Sequence, residues 1–196
     1  MRVAVTGTPG TGKTTAVGAV ETDLEVVHLN EVIRERGLSV GIDETRDSLI
    51  ADLDAVREWF DGRDDVLVES HLAHHLPVDR VVVLRCAPAV LEDRLRERST
   101  GGESSAGADE SPLSAVESTS PSDEPSSSLD ESSVENATSE ALDLVLAEAV
   151  EMHGENAIYE IDTTDREPPE VAREIERVIA GTREPSVGTV SFIDYL

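Results

Sequence analysis

The sequence predicts an α/β fold in which a five-stranded parallel sheet is flanked by helices around a phosphate-binding loop. Three observations predict it. Short apolar runs alternate with stretches of helical periodicity. The runs lack polar/apolar alternation, as expected of strands covered on both faces. Directly after the first run, Gly7-Thr8-Pro9-Gly10-Thr11-Gly12-Lys13-Thr14-Thr15 has the spacing G-x-x-x-x-G-K-[ST].

Residues 2–6 are the first strand, and a helix is expected from about Lys13 to Asp23. Residues 25–29 are a second short strand. Asn30 is the expected cap of a helix from Glu31 to Arg36, and Gly37 its stop. Residues 41–44 read as a turn, with Asp43 capping a longer helix to about Phe60. The solvent face of that helix carries Asp54, Glu58 and Asp61. The third and fourth strands are residues 66–71 and 79–85. Pro88 opens the next helix at its first turn, with Leu91, Arg94, Leu95 and Arg98 at helical spacing.

From Ser99 to Asn136 the chain is rich in Ser, Glu, Asp, Gly and Pro and has no Lys, Arg or aromatic residue. About 101–130 is therefore expected to be a disordered insertion. A helix through Leu142, Leu144, Leu146 and Val150 follows. Residues 156–162 are the fifth strand, and Pro168-Pro169 opens a last helix to about Ala180. The tail, 181–196, holds a small apolar cluster (Val187, Val190, Phe192, Ile193, Tyr195, Leu196), which is either a packed extension or a docking segment.

The 196 residues suit one domain, 1–196. The net charge is −26, so the surface repels nucleic acid at ordinary salt, and no sequence-specific nucleic-acid binding is expected. Acidic, lysine-poor composition is typical of proteins that work in concentrated salt, where self-repulsion is screened. Cys86 is the lone cysteine, which excludes an intrachain disulfide and a cysteine metal cluster; a buried, inert thiol is expected. No stretch approaches the ~18 apolar residues of a membrane span. The first strand starts at once, leaving no room for a signal peptide, so a soluble, cytoplasmic protein is expected.

The loop carries most of the chemistry. Its glycines let backbone N–H groups turn around an anionic phosphate, and Thr14 and Thr15 begin a helix whose N-terminus favours negative charge. Lys13 can reach the β- and γ-phosphates, and the Thr14 hydroxyl can ligate Mg²⁺. Lys13 is the only lysine; the other fifteen Lys/Arg positions are all arginine. Phosphoryl transfer needs two things more: an acid on the Mg²⁺ side and cations around the moving group. Glu69, closing the third strand, is the candidate acid. His71, two residues on, points the same way if the chain is still extended, and can position a water or a substrate phosphate. His74 and His75 are adjacent, so their side chains converge poorly, and they read as loop residues. Arg94 and Arg98, four apart on one helix face, either clamp a nucleoside triphosphate or pair with Glu92, Asp93 and Glu97. Arg34 can grip the phosphate of a second, smaller substrate, with Arg36 and Arg46 as rivals. Arg85, ending the fourth strand, can face the same cleft.

These motifs together resemble the adenylate kinases, and most closely their small isoenzyme 6 branch. The resemblance is carried by Thr6 to Thr15, by Glu69-Ser70-His71 where that branch has Asp-x-His, and by Val83-Leu84-Arg85. Leu91 to Arg98, Asn136 to Ala149, Ile161-Asp162-Thr163-Thr164 and Pro185-Ser186-Val187-Gly188 also match. It implies a P-loop NTPase with a monophosphate-binding segment at 28–51 and a lid at 98–132. It also implies that Gly10, Gly12, Lys13, Thr14 and Thr15 bind ATP phosphates, that Arg98 reaches ATP from the lid, and that Arg34 holds the monophosphate. The implied activity is nucleoside monophosphate kinase with Mg²⁺ and ATP, together with ATPase activity. The implied partner is a small-subunit ribosomal protein, bound transiently during small-subunit (rRNA) maturation. This chain departs from the branch in having Glu at 69 and a long insertion in its lid.

Overall fold

The computed structural model describes residues 1–43, 48–100 and 127–195. Five strands form one parallel sheet: β1 (Arg2–Thr6), β2 (Glu25–His28), β5 (Val66–Glu69), β6 (Arg80–Arg85) and β7 (Ile158–Asp162). Their spatial order is β2-β5-β1-β6-β7, so β1 is central and the loop after it opens in the crevice where the winding reverses. The register places Val5 opposite Glu69 and His28 opposite Glu69. Three strands therefore end side by side.

Helices cover both faces, which explains the unalternated apolar runs. One face buries Ala4, Val68, Val81 and Val83. Against it pack α2 (Leu29–Arg36), α3 (Leu53–Phe60) and α6 (Leu144–His153) through Ile33, Val56, Phe60, Leu146 and Ala149. The other face buries Val3, Val5, Leu67, Val82 and Leu84 under α1 (Lys13–Val17) and α7 (Pro168–Ile179). Successive residues of β1 thus serve opposite layers. In α7 the Glu170 carboxylate accepts from the Glu167 N–H at 3.1 Å, and the proline at the helix start sacrifices no intrahelical bond.

Several sequence expectations need correction. The helix expected from Asp43 to Phe60 is two elements. An antiparallel hairpin of β3 (Ser39–Asp43) and β4 (Ser48–Ala51) comes first; its strands carry Val40, Ile42, Leu49 and Ile50, types that favour extended backbone. Asp52, not Asp43, caps α3, accepting from the Ala55 N–H at 3.1 Å. The first helix stops at Val17 because Gly18 is a weak helix former. Asn30 lies inside α2, where its Oδ1 accepts from Ser70 Oγ at 2.8 Å. Strand β5 ends at Glu69, two residues early, and a 3-10 turn at Ala73–His75 follows.

The expected lid segment, 98–132, is described only at its two ends, where α4 (Pro88–Thr100) enters it and α5 (Ser127–Ala141) leaves it. Most of the expected 101–130 insertion, residues 101–126, lies outside the described residues; 127–130 open α5. The single helix expected through Leu142–Val150 is broken at Asp143, whose φ is 56°. In the tail, Ser186 pairs with Tyr159 and Val187 packs on the core. Phe192 lies 5.6 Å from the Arg85 guanidinium, and Tyr195 Oη donates to Glu92. The tail is therefore a packed extension through these contacts. Among the described residues, no helix is long and apolar enough to cross a membrane.

Cys86 is fully buried, and burial pushes its thiol up. It is expected to resist alkylation in the native protein and to react stoichiometrically once the chain is unfolded; timed labelling with a thiol reagent, with and without denaturant, checks this.

Candidate functional site

The loop from Gly7 to Thr14 has the backbone its glycines permit. Gly10 and Gly12 have φ of 93° and 88°, conformations that other residues adopt only with strain. A Cβ on Gly7 would meet the Leu84 carbonyl oxygen at 2.4 Å, so the loop lies tight against the end of β6. Thr11 Oγ1 and Lys13 Nζ both donate to the Thr8 carbonyl, at 2.9 and 3.2 Å. The loop is thus folded on itself, with the Lys13 side chain 5% exposed at its centre.

Glu69 stands across from the loop. Its Oε1 accepts from Thr14 Oγ1 at 3.2 Å and lies 2.9 Å from His28 Nδ1. The extra methylene of Glu therefore carries the carboxylate to both groups. His28 has no motif to mark it; its signal is positional, because it ends the strand paired with β5. An extended chain does not set the direction of His71. The strand has ended, and the Thr6 hydroxyl lies 3.2 Å from the His71 carbonyl.

A cleft of about 480 Å³ adjoins the loop, with Gly10, Gly12, Thr15, Arg94, Thr163 and Arg166 among its walls. Arg94 Nη2 donates to the carbonyls of Thr163 and Thr164 at 3.1 and 3.3 Å, and Nη1 points at Cys86 Sγ, 3.3 Å away. Arg94 thus joins α4 to the end of β7 at the cleft wall. Among the described residues, Glu92 and Asp93 pair with Arg96 rather than with Arg94. The backbone of Arg98 continues α4, but its side chain lies outside the described residues, as does Arg46. Arg34 is half-buried on α2, the helix that starts at the Glu69-bound His28, about 9 Å further along its axis. Arg36 is exposed, with its guanidinium 5.8 Å from the Trp59 ring.

Arg85 is a correction. It was expected to face the cleft, but it is 1% exposed and held by three carboxylates. Nε donates to Glu140 Oε1 and Nη1 to Glu160 Oε1, both at 2.6 Å, and Nη2 pairs with Asp143. Burial alone would lower its pKa, but these carboxylates outweigh that and raise it. A guanidinium so neutralised has no charge left for a substrate phosphate. Glu140, invisible as a site residue in the sequence, also accepts from Thr8 Oγ1 at 2.5 Å, linking α5 to the phosphate loop.

The donor set opposite Lys13 suits Mg²⁺. Thr14 Oγ1 and Glu69 Oε1 are hard oxygens, and their 3.2 Å separation is close to the roughly 3 Å edge of an octahedron with Mg–O bonds near 2.1 Å.

Comparison with known proteins agrees with this geometry. A family profile described as "AAA domain" matches residues 3–112. A protein of Natronomonas pharaonis named "Putative adenylate kinase" is 55% identical over 196 residues, covering all of both chains. One of the same name from Halobacterium salinarum is 52% identical over 197 residues, again covering both chains fully. A third, from Methanothermobacter thermautotrophicus, is 37% identical over 199 residues, covering 99% of this chain and 98% of its own.

Proposed function

The chain belongs to the P-loop family of these adenylate-kinase-named proteins, and from that premise we propose that it is a broad-specificity nucleoside monophosphate kinase. The reaction is ATP + NMP to ADP + NDP: an oxygen of the monophosphate attacks the γ-phosphorus, the bond to the β–γ bridging oxygen breaks, and ADP leaves. The observation that carries this reading is the convergence of Lys13, Thr14, Glu69 and His28 at the ends of three adjacent strands, beside an open cleft.

In this reading the loop N–H groups with Gly10, Gly12, Lys13, Thr14 and Thr15 hold the ATP phosphates. Lys13 neutralises charge that builds on the β- and γ-phosphates. Thr14 and Glu69 hold Mg²⁺, which when bound supplies electrostatic stabilisation of the phosphates. His28 orients the Glu69 carboxylate, and His71 orients the nucleophile. Arg94 and Arg98 bind ATP from α4, with 98–132 acting as the lid. Arg34, within a monophosphate-binding segment at 28–51, holds the second substrate. The same site supports ATPase activity when water replaces the monophosphate.

A coupled assay with ATP, Mg²⁺ and a panel of monophosphates in concentrated salt tests the proposal. ADP formation that rises with AMP is expected; ADP no higher than with ATP alone would sink it.

The charge of −26 favours a second role, that of a nucleotide-gated assembly factor in small-ribosomal-subunit maturation. Such a surface attracts a basic ribosomal protein and speeds its encounter. Capture of small-subunit proteins on the immobilised chain is expected to change with ATP; capture that ignores nucleotide would rule out the gate.

A further inference from the structure

We propose that His74, His75 and Glu148 form a binding site for a divalent first-row transition metal, Zn²⁺ foremost, behind the phosphate loop. One donor atom from each residue lies within 4.8 Å of the others. His74 Nε2 is already 3.1 Å from Glu148 Oε2; two ligands on a tetrahedral Zn²⁺ with bonds near 2.05 Å sit about 3.3 Å apart. The 3-10 turn achieves what the sequence spacing argued against. It stacks the two adjacent imidazoles with centroids 4.2 Å apart and tilted by 37°. His153 Nε2, at the end of α6, is 2.7 Å from the His74 carbonyl and donates to it, fixing that turn against the helix that carries Glu148.

Proton counting points the same way. Thr6 Oγ1 lies 3.2 Å from the His71 carbonyl and 2.9 Å from His74 Nδ1. A carbonyl only accepts; with the hydroxyl proton donated there, Thr6 accepts the proton on Nδ1. His74 then turns an Nε2 lone pair toward a carboxylate, which also only accepts. His74 is 1% exposed, and a charge placed on a buried ring is costly. A cation between Nε2 and Glu148 satisfies both groups.

The Nδ1–H to Thr6 contact is then the outer hydrogen bond that metal-bound histidines make, which fixes ring orientation. Two imidazoles and one carboxylate suit Zn²⁺, Co²⁺ or Ni²⁺ over Mg²⁺. The Glu148 side chain is 55% exposed, which gives the metal an entry path and a fourth position for water. Thr6 immediately precedes Gly7, so the metal braces the strand end that carries the phosphate loop.

The test uses the full chain, stripped with chelator, in concentrated potassium acetate without nucleotide, so its result does not depend on the kinase reading. Titration with Co²⁺ is expected to give the strong visible bands of a tetrahedral N/O site at one equivalent, displaced by Zn²⁺. Zn²⁺ at hundred-fold excess over Kd should raise Tm by about 5–10 °C, reversed by chelator. His75→Ala and Glu148→Gln should each weaken binding by more than the about 10–100-fold that loss of a supporting partner costs, whereas Glu69→Gln should keep full stoichiometry. The proposal is overturned by absence of the one-equivalent signal, by binding that survives His75→Ala and Glu148→Gln, or by binding lost in Glu69→Gln.

Discussion

Lys13→Ala is expected to lower kcat for phosphoryl transfer by about 10²–10³-fold, the cost of removing one preorganised charge donor from a transition state, while Tm barely moves. The two outcomes separate because Lys13 is not one of the apolar side chains that build the two core layers. Its Nζ reaches the Thr8 carbonyl at 3.2 Å, within a loop shaped by Gly10 and Gly12. Lys13→Arg is the sharper variant. The composition uses arginine at every other basic position, so charge alone does not explain a lysine here. An ammonium is a compact point charge with three rotatable donors; a guanidinium is a wider planar fork. Folded round a 5% exposed side chain, the loop would have to shift its backbone to take the wider fork. Lys13→Arg is therefore expected to lose most of the activity as well. Steady-state ADP formation with thermal melts on both variants decides it: a fully active Lys13→Arg would show that charge, not shape, retains the lysine.

The sequence reveals the sheet and the phosphate loop because both rest on local rules. Apolar runs of four to six residues report strands buried on two faces, and the glycine spacing reports the backbone that the loop needs. It misleads where a decision depends on what lies across the fold. The run 39–51 carries mixed signals, and the helical reading put a cap at Asp43 when the pairing of β3 with β4 moves the cap to Asp52. His28 joins Glu69 only because β2 and β5 are parallel and in register. Arg85 has the pattern of a cleft residue at a strand's carboxyl end. Its true environment comes from Glu140, 55 residues away, and Glu160, 75 away. No periodicity in the chain encodes that meeting.

Arg85 therefore supplies the second large effect. Arg85→Met is expected to destabilise the fold by about 3–5 kcal/mol, the cost of breaking a buried ion pair from one side, which lowers Tm by roughly 10 °C in a chain of this length. The reason is what stays behind. Glu140 and Glu160 are 2% and 1% exposed, and neither can reach water. Each keeps other donors: Thr8 Oγ1 and the Cys86 N–H for Glu140, the Thr189 N–H and Oγ1 for Glu160. Those bonds soften the loss but do not cancel two buried negative charges near one another. They also spread it, because Glu140 touches the phosphate loop and Glu160 the tail. Asp143 holds a left-handed backbone, φ 56°, at a cost of about 1–2 kcal/mol, to place its carboxylate on the same guanidinium. Adding Glu140→Gln and Glu160→Gln to Arg85→Met should recover most of the lost stability, since the neutral amides need no counter-charge. Salt separates this from the acidic surface: screening reaches exposed charges but hardly the buried cluster, so the deficit of Arg85→Met should persist from low to high salt. A Tm within about 2 °C of the parent, a change of under 1 kcal/mol, or a deficit that vanishes in concentrated salt, would show that the cluster is not what holds β6, β7, α5 and the tail together.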